Sequence, residues 1–415
     1  MAFPQAPVER EIYMEIPKGI KVEGGNTKDY VLQIHWNIYG QKQAGKVWNH
    51  YLAEKLTKVV GFKQSKIDEC LFYKGNVMDA LYTNDSILAG PDEEELNKVI
   101  EQIRQAGLNI TEEGNLEDFL GVNIEEKSDG TIHLTQPHLI DQILKDLRLD
   151  GEEVKTKETP CASSRLISHF SESEPFDDSF HYRSIIGKLN YLEKSTRPDI
   201  SYTTHQCARF TVNPKKEHGE AIRWLARYLK GTRDKGIIIK PEKGRNLEMY
   251  VDADFAGNWD PKESNERDTA RSRHGYVINY EGCPIMWKSQ MQTEIALSST
   301  ESEYTGLSYA LREAIPIMQT MQEMRRHGFP INKTENKVFC TVFEDNSGAI
   351  EMANNHKYRP RTKHLNVKLH YFRNYVTRKE IIILSINTKN QSTDLLTKAL
   401  NVELTKRHRK FIMGW

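Results

Sequence analysis

LEMYVDADFAG, Leu247 to Gly257, reads as an apolar strand carrying two aspartates. Side chains two apart on a strand point the same way, so Asp252 and Asp254 share a face. Downstream, SSTESEYTGLSYALREAI (Ser298 to Ile315) reads as a helix entered through Ser/Thr capping residues, with Glu303 in its first turns. VFCTVFEDNSGAI (Val338 to Ile350) reads as a buried strand ending in Glu344-Asp345, then a helix, and in STDLLTKAL Asp394 begins another helix. Strand ends and helix starts from distant parts of a chain converge at the carboxyl ends of an α/β sheet. The expectation is therefore Asp252 on the central strand, Glu303 on the first helix, Asp345 at the end of a neighbouring strand and Asp394 at the start of the last helix.

Clustered carboxylates repel one another unless cations offset the charge. Hard divalent ions want oxygen ligands, and a pair held ~4 Å apart activates water on one side and stabilises the leaving oxygen on the other. That is chemistry for phosphodiester cleavage. Any one of these acids taken alone is more simply a solvated charge or a helix cap, Asp394 above all; the functional case rests on the four together.

Length and composition set the frame. The 415 residues suggest two or three domains, and the balance of 58 basic and 58 acidic residues argues against a generally basic coat. Charge is instead local: Asp92 to Glu126 holds eleven acids against Lys98 and Arg104, whereas Asn354 to Lys379 holds eight Lys or Arg and no acid. The five cysteines have no CxxC spacing, which supports neither a zinc site nor a disulfide framework. No apolar run approaches the ~18 residues of a membrane span, and Met1 to Gly19 has no signal-peptide pattern, so the chain is expected to be soluble, intracellular and not secreted.

Along the first half, Val47 to Val60 has helical spacing and Asp68 to Leu88 reads as short strands turning at Gly75-Asn76. An acidic helix opens at Asp92 and runs to Gln105, and VNIEEK and TIHLTQ flank an Asp129-Gly130 hairpin turn before a further helix. The pattern gives an α+β palm-like unit over residues 1–149, a linker and helical stretch over 150–240, an α/β domain with a mixed central sheet over 241–400, and a basic tail over 401–415.

YVDADFAG, PIMWKSQMQTEIALSSTESEY, FEDNSGAI, RTKHLNVKLHYFR and NQSTDLLTKAL resemble, in order and spacing, the ribonuclease H domain of copia-type LTR retrotransposon Pol polyproteins. The resemblance implies a ribonuclease H-like fold in which Asp252, Glu303, Asp345 and Asp394 bind two Mg²⁺ (or Mn²⁺) ions and cut the RNA of an RNA/DNA hybrid. Glu303 is preferred to Glu301 because EYTGLSYAL is the matching segment. His364, in RTKH, is implied to assist near the phosphate, and a packed or surface histidine is an equal reading. Arg359, Arg361, Lys363 and Lys368 are the candidate contacts to the hybrid backbone. Other parts of the polyprotein are implied as partners, and a non-catalytic relic or nucleic-acid-binding module is the alternative function.

REIYMEIPKGI, NIYGQKQAGKVWNHYL, GFKQSKIDECLFYK, LYTNDSILAGP and DFLGVNIEEKSDGTIHLTQ are similar to the copia-type reverse transcriptase from mid-palm to thumb, and YRSIIGKLNYL, TRPDI and HGEAIRWLARYLKGTRDKG resemble its connection. The polymerase needs a carboxylate on an early strand and two in a YxDD turn. Here the turn is Tyr82-Thr83-Asn84-Asp85, so Asn84 offers an amide oxygen without charge, and the early-strand aspartate is expected to lie before Met1. Gln41 also departs from the family's YGLKQA. An ordinary hairpin turn is the simpler reading of YTND, and reverse transcriptase activity is expected to be lost.

Two outcomes follow from these readings. The isolated chain should not extend a primer; template-dependent dNTP incorporation would contradict the degenerate reading of Tyr82, Asn84 and Asp85. Changing Arg359, Arg361 and Lys363 together to Ala should weaken hybrid binding and flatten its salt dependence, since every phosphate deprived of its cationic partner lowers the slope of log K against log salt by about one. An unchanged slope would leave this run as a solvated face.

Overall fold

In the computed structural model, residues 2–20, 22, 26–162, 174–263, 267–331, 337–354 and 370–415 are described. They form two compact units, 1–114 with 319–333, and 115–318 with 334–415.

In the first unit an antiparallel sheet runs Lys63–Gln64, Leu71–Lys74, Val77–Tyr82, Asp85–Ala89. The Gly75-Asn76 turn joins its second and third strands, where Gly75 takes φ +60°, a value that suits glycine. Helix Ala44–Glu54 continues as a π-turn, Lys55–Val60, that ends on Gly61, and helix Glu93–Gln105 is capped by the Asp92 carboxylate accepting from the Glu95 amide. Trp48, Leu52, Leu56, Phe72, Val77, Val99 and Ile103 from these elements share one core. A separate ribbon pairs Pro7–Glu15 with Val31–Trp36.

The second unit opens with a sheet in the order Ile237–Ile239, Ile132–Thr135, Val122–Glu126, Asp118–Phe119. The Asp129-Gly130 hairpin is thus present, but its outer strand arrives from about a hundred residues later. Helix Pro137–Asp146 packs with Tyr182–Ser195, Ser201–Ala208 and Lys216–Gly231 around Ile140, Ile143, Leu189, Ile222 and Leu225. Residues 115–149 therefore share a ladder and a core with 182–239, whereas the sequence places a boundary near 149; backbone pairing and apolar burial hold these segments together.

The five-stranded sheet has the order Cys283–Met291, Arg273–Tyr280, Leu247–Asp254, Cys340–Glu344, Ile381–Ser385. The first three strands pair antiparallel with one another and the last two join Leu247–Asp254 in parallel, which leaves that strand central. Helix Ser299–Arg326 passes through Pro316 and ends eleven residues beyond the Ile315 expected from sequence. Burial of Met318 and Met321 on the far side of the proline offsets the one lost backbone bond.

Two expectations are corrected at the carboxyl end. Asp394 opens a short turn of helix, Asp394–Thr397, and the last helix is Val402–Met413. Residues 401–415 are consequently not a tail: Asn401 caps the helix by accepting from the Leu404 amide, and Thr405, His408, Ile412 and Met413 are buried. Its run of basic residues masks an apolar face at helical spacing.

Arg197 and Asp199 are both fully buried next to this helix. The guanidinium donates to both Asp199 oxygens at 2.9 and 2.8 Å and to the Thr232 carbonyl and hydroxyl at 3.0 and 2.7 Å, and Tyr228 donates to Asp199 Oδ2 at 2.5 Å. Removing one partner of such a pair strands the other charge. Asp199→Ala should lower unfolding free energy by about 3–5 kcal/mol, read from denaturant midpoints; a loss below about 1 kcal/mol would mean that the pair is solvated.

Candidate metal centre

Asp252 lies two residues before the end of the central strand, almost fully buried, and pairs in register with Gly275. A Cβ on Gly275 would sit 2.7 Å from Leu396 Cβ and 3.0 Å from Thr397 Cγ2. Glycine there lets the Asp394–Thr397 turn lie on the sheet, which brings the Thr397 hydroxyl into a hydrogen bond with Asp252 Oδ2. The loop before the turn is pinned too: Gln391 Nε2 donates to the Val251 carbonyl at 2.8 Å and Thr393 Oγ1 to Gln391 Oε1 at 2.7 Å.

Glu303 reaches the centre from the first turns of helix Ser299–Arg326. One turn on, Gly306 faces the sheet where an added Cβ would meet His274 Cβ at 3.1 Å and Ala253 Cβ at 3.5 Å, so the helix lies close to the central strand. Glu301 has a different task, accepting from the Leu297 amide at 2.9 Å on the exposed side of the helix start. Asp345 follows the parallel strand Cys340–Glu344 directly. Its neighbour Asn346 accepts from Thr300 Oγ1 at 3.3 Å and from the Ala349 amide at 3.0 Å, tying the Asp345 loop to both helix starts.

Asp252, Glu303 and Asp345 each offer an oxygen within 4.8 Å of the others, the one such group among the described residues. Asp394 is next to this group rather than in it. Its Oδ1 lies 2.7 Å from Lys398 Nζ, which is also 3.9 Å from Asp252 Oδ2. Sequence reading had not singled out Lys398, Thr397 or Glu344. The last is fully buried: its Oε1 accepts from the Asn346 amide at 3.0 Å, and its Oε2, like Glu303 Oε2, has no hydrogen-bond partner. A second acid beside Asp345 was the signal for it.

The electrostatics follow from burial and crowding. Burial, then the charges of Asp252, Glu344 and Asp345, push the Glu303 carboxyl far above the ordinary range. Burial raises Asp252, opposed by Lys398, and raises Glu344 and Asp394 as well. For Lys398 burial disfavours the charge, but Asp252 and Asp394 outweigh it and hold the ammonium above the usual lysine value. An all-oxygen, anionic donor set with unpartnered buried oxygens fits hard divalent cations.

The other candidates are not part of this group. Tyr82, Asn84 and Asp85 form an exposed hairpin turn in the first unit, with Tyr82 opposite Asp85, Thr83 at φ 57° and Trp48 Nε1 donating to the Thr83 carbonyl at 2.8 Å. Asn84 Nδ2 is 3.3 Å from Asp85 Oδ1. His364, Arg359, Arg361, Lys363 and Lys368 lie outside the described residues.

Residues 1–163 match the family described as reverse transcriptase (RNA-dependent DNA polymerase). The chain is 30% identical over 410 residues to the retrovirus-related Pol polyprotein from transposon TNT 1-94 of Nicotiana tabacum, covering 96% of this chain and 29% of that protein. It is likewise 30% identical to the polyprotein from transposon RE1 of Arabidopsis thaliana, covering 96% and 26%; it thus spans under a third of these relatives. Among solved structures, the foamy viral protease-reverse transcriptase in complex with dsDNA is 13% identical, with a TM-score of 0.45 over 86% of this chain and 61% of that one. No helix among the described residues is long and apolar enough to cross a membrane. With a reverse transcriptase match at one end and plant Pol polyproteins aligned over nearly its whole length, the chain is similar to a fragment of a copia-type retrotransposon Pol polyprotein.

Proposed function

We propose that the five-stranded sheet domain is a ribonuclease H that hydrolyses the RNA strand of an RNA/DNA hybrid. One observation carries the reading: three acids from a central strand, a helix start and a neighbouring strand end, 93 positions apart at the extremes (252 to 345), offer oxygens within 4.8 Å of one another. Asp252, Glu303 and Asp345 would hold a first divalent cation, and Asp394 would complete the seat of a second. Two such ions, Mg²⁺ or Mn²⁺, supply an activated water and a stabilised leaving oxygen.

The protein's own contribution is positioning. Thr397 fixes the Asp252 rotamer through Oδ2, Asn346 holds the Asp345 loop, and the approach at Gly306 sets the depth of Glu303. Burial keeps water from screening the acids, so they are poised to take cations rather than remain charged alone. Arg359, Arg361, Lys363 and Lys368 are proposed to hold the hybrid backbone, with His364 near its phosphate.

For the polymerase half we propose loss of activity. A neutral amide at Asn84, in an exposed turn whose Asp85 belongs to no acid group among the described residues, lacks the charge that an in-line phosphoryl transfer site needs.

Asp252→Asn and Asp345→Asn should each reduce cleavage of a labelled hybrid by at least about a thousandfold, the loss of about 4 kcal/mol of cation-mediated stabilisation. Far-UV circular dichroism should be unchanged, because removing a repelling charge does not unfold the sheet. An Asp252→Asn protein that still cuts the RNA strand at the wild-type rate would rule the reading out.

A further inference from the structure

The four acids that the sequence groups together are not equivalent in the fold. Three share one small volume, while Asp394 is held by an ammonium one helical turn downstream of it, at 2.7 Å. The same ammonium stands 3.9 Å from Asp252 Oδ2, so it bridges the fourth acid and the first. Its position is not left to a free side chain: the preceding residue, Thr397, is locked onto Asp252, which fixes where the lysine stem leaves the backbone. About a third of the Lys398 side chain is exposed, which leaves the ammonium a direct path out to solvent.

We infer that Lys398 is a built-in cation of this centre: in the free protein it occupies the Asp394 side of the acid cluster, leaves one divalent-cation seat at Asp252, Glu303 and Asp345, and must withdraw before a second divalent ion is bound. The inference rests on the metal-centre reading above. Its physical basis is competition for the same oxygens. An ammonium and a divalent cation cannot both sit against Asp394 Oδ1, so each lowers the other's occupancy by the same factor. A single positive charge offsets only part of the cluster, which leaves the three-acid seat attractive to a cation while Lys398 remains in place. Lysine suits this better than arginine, since a compact point charge on a flexible stem is released more easily than a planar fork. Lys398 is a positioning residue in this account, acting through Asp394 and Asp252.

The test is Mn²⁺ binding to the full chain without nucleic acid, followed by electron paramagnetic resonance, beside metal-free thermal melting. Wild type should bind one equivalent tightly. Lys398→Met, which keeps the stem and removes the charge, should take up a second equivalent with affinity raised by about tenfold or more, and its metal-free melting temperature should fall by about 2–4 °C as the acids lose their counter-charge. Lys398→Arg should keep the single equivalent. Asp345→Asn serves as the control on the seat and should lose the first equivalent. If it does while Lys398→Met keeps wild-type stoichiometry and melting, the inference is overturned and the metal centre stands. If Asp345→Asn binds Mn²⁺ as wild type does, both readings are overturned together.

Discussion

Mutual repulsion of buried carboxylates at the end of the central strand is the constraint on which the carboxyl-terminal unit turns. At an effective dielectric of about 20, two charges separated by the 4.8 Å that bounds this group repel by roughly 3 kcal/mol. Three such pairs approach the whole stability of an ordinary domain. The acids therefore coexist only with some of the charge removed or balanced. In the free protein the fold does both: burial and neighbouring acids favour the neutral form of Glu303, and Lys398 places an ammonium between Asp252 and Asp394. Either arrangement lowers the repulsion that the fully ionised cluster would carry.

Bringing the acids together requires backbones to approach more closely than side chains ordinarily permit. Gly275 admits the Asp394–Thr397 turn and Gly306 admits the long helix, and at each an added Cβ would collide with or crowd the opposing element. The rest of the unit acts as a brace. The closing helix Val402–Met413 contributes Ile412 and Met413 to a cluster with Val277, Leu395 and Leu396, directly behind the turn that carries Asp394. Arg409 of that helix reaches Tyr228 at 3.0 Å, and Tyr228 in turn holds Asp199 of the buried Arg197 pair. The closing helix thus joins the helices before it through a polar network and the Asp394 turn through an apolar cluster, inside a single unit.

The first unit presents the opposite situation. Its Tyr82 to Asp85 turn is exposed and crosses between strands as a short hairpin, with the amide of Asn84 beside Asp85. The buried acid there is Asp79, raised to about 6 by burial and satisfied by the Ser86 hydroxyl. A satisfied acid on one strand and an exposed one on a turn do not generate the crowding of carboxylates found in the other unit.

Much of this was legible in the primary structure because it depends on local chemistry. Asp92 caps its helix through the residue type that does so anywhere, Gly75-Asn76 and Asp129-Gly130 turn hairpins through glycine's backbone freedom, and the strand-end positions of Asp252 and Asp345 follow from apolar runs stopping at acids. What the sequence by itself determined was most of the local elements around the acids and which acids sit at their ends. The tertiary structure alone decided the rest: that residues 401–415 bury a face instead of trailing as a tail, that Ile237–Ile239 completes a sheet begun a hundred residues earlier, that Glu344 is buried beside Asp345, and that Asp394 faces Lys398 instead of joining the other three. The physical reason is range. Caps and turns are settled by neighbours along the chain, whereas the ionic partner of a buried acid is settled by whichever element packing brings within a few ångströms.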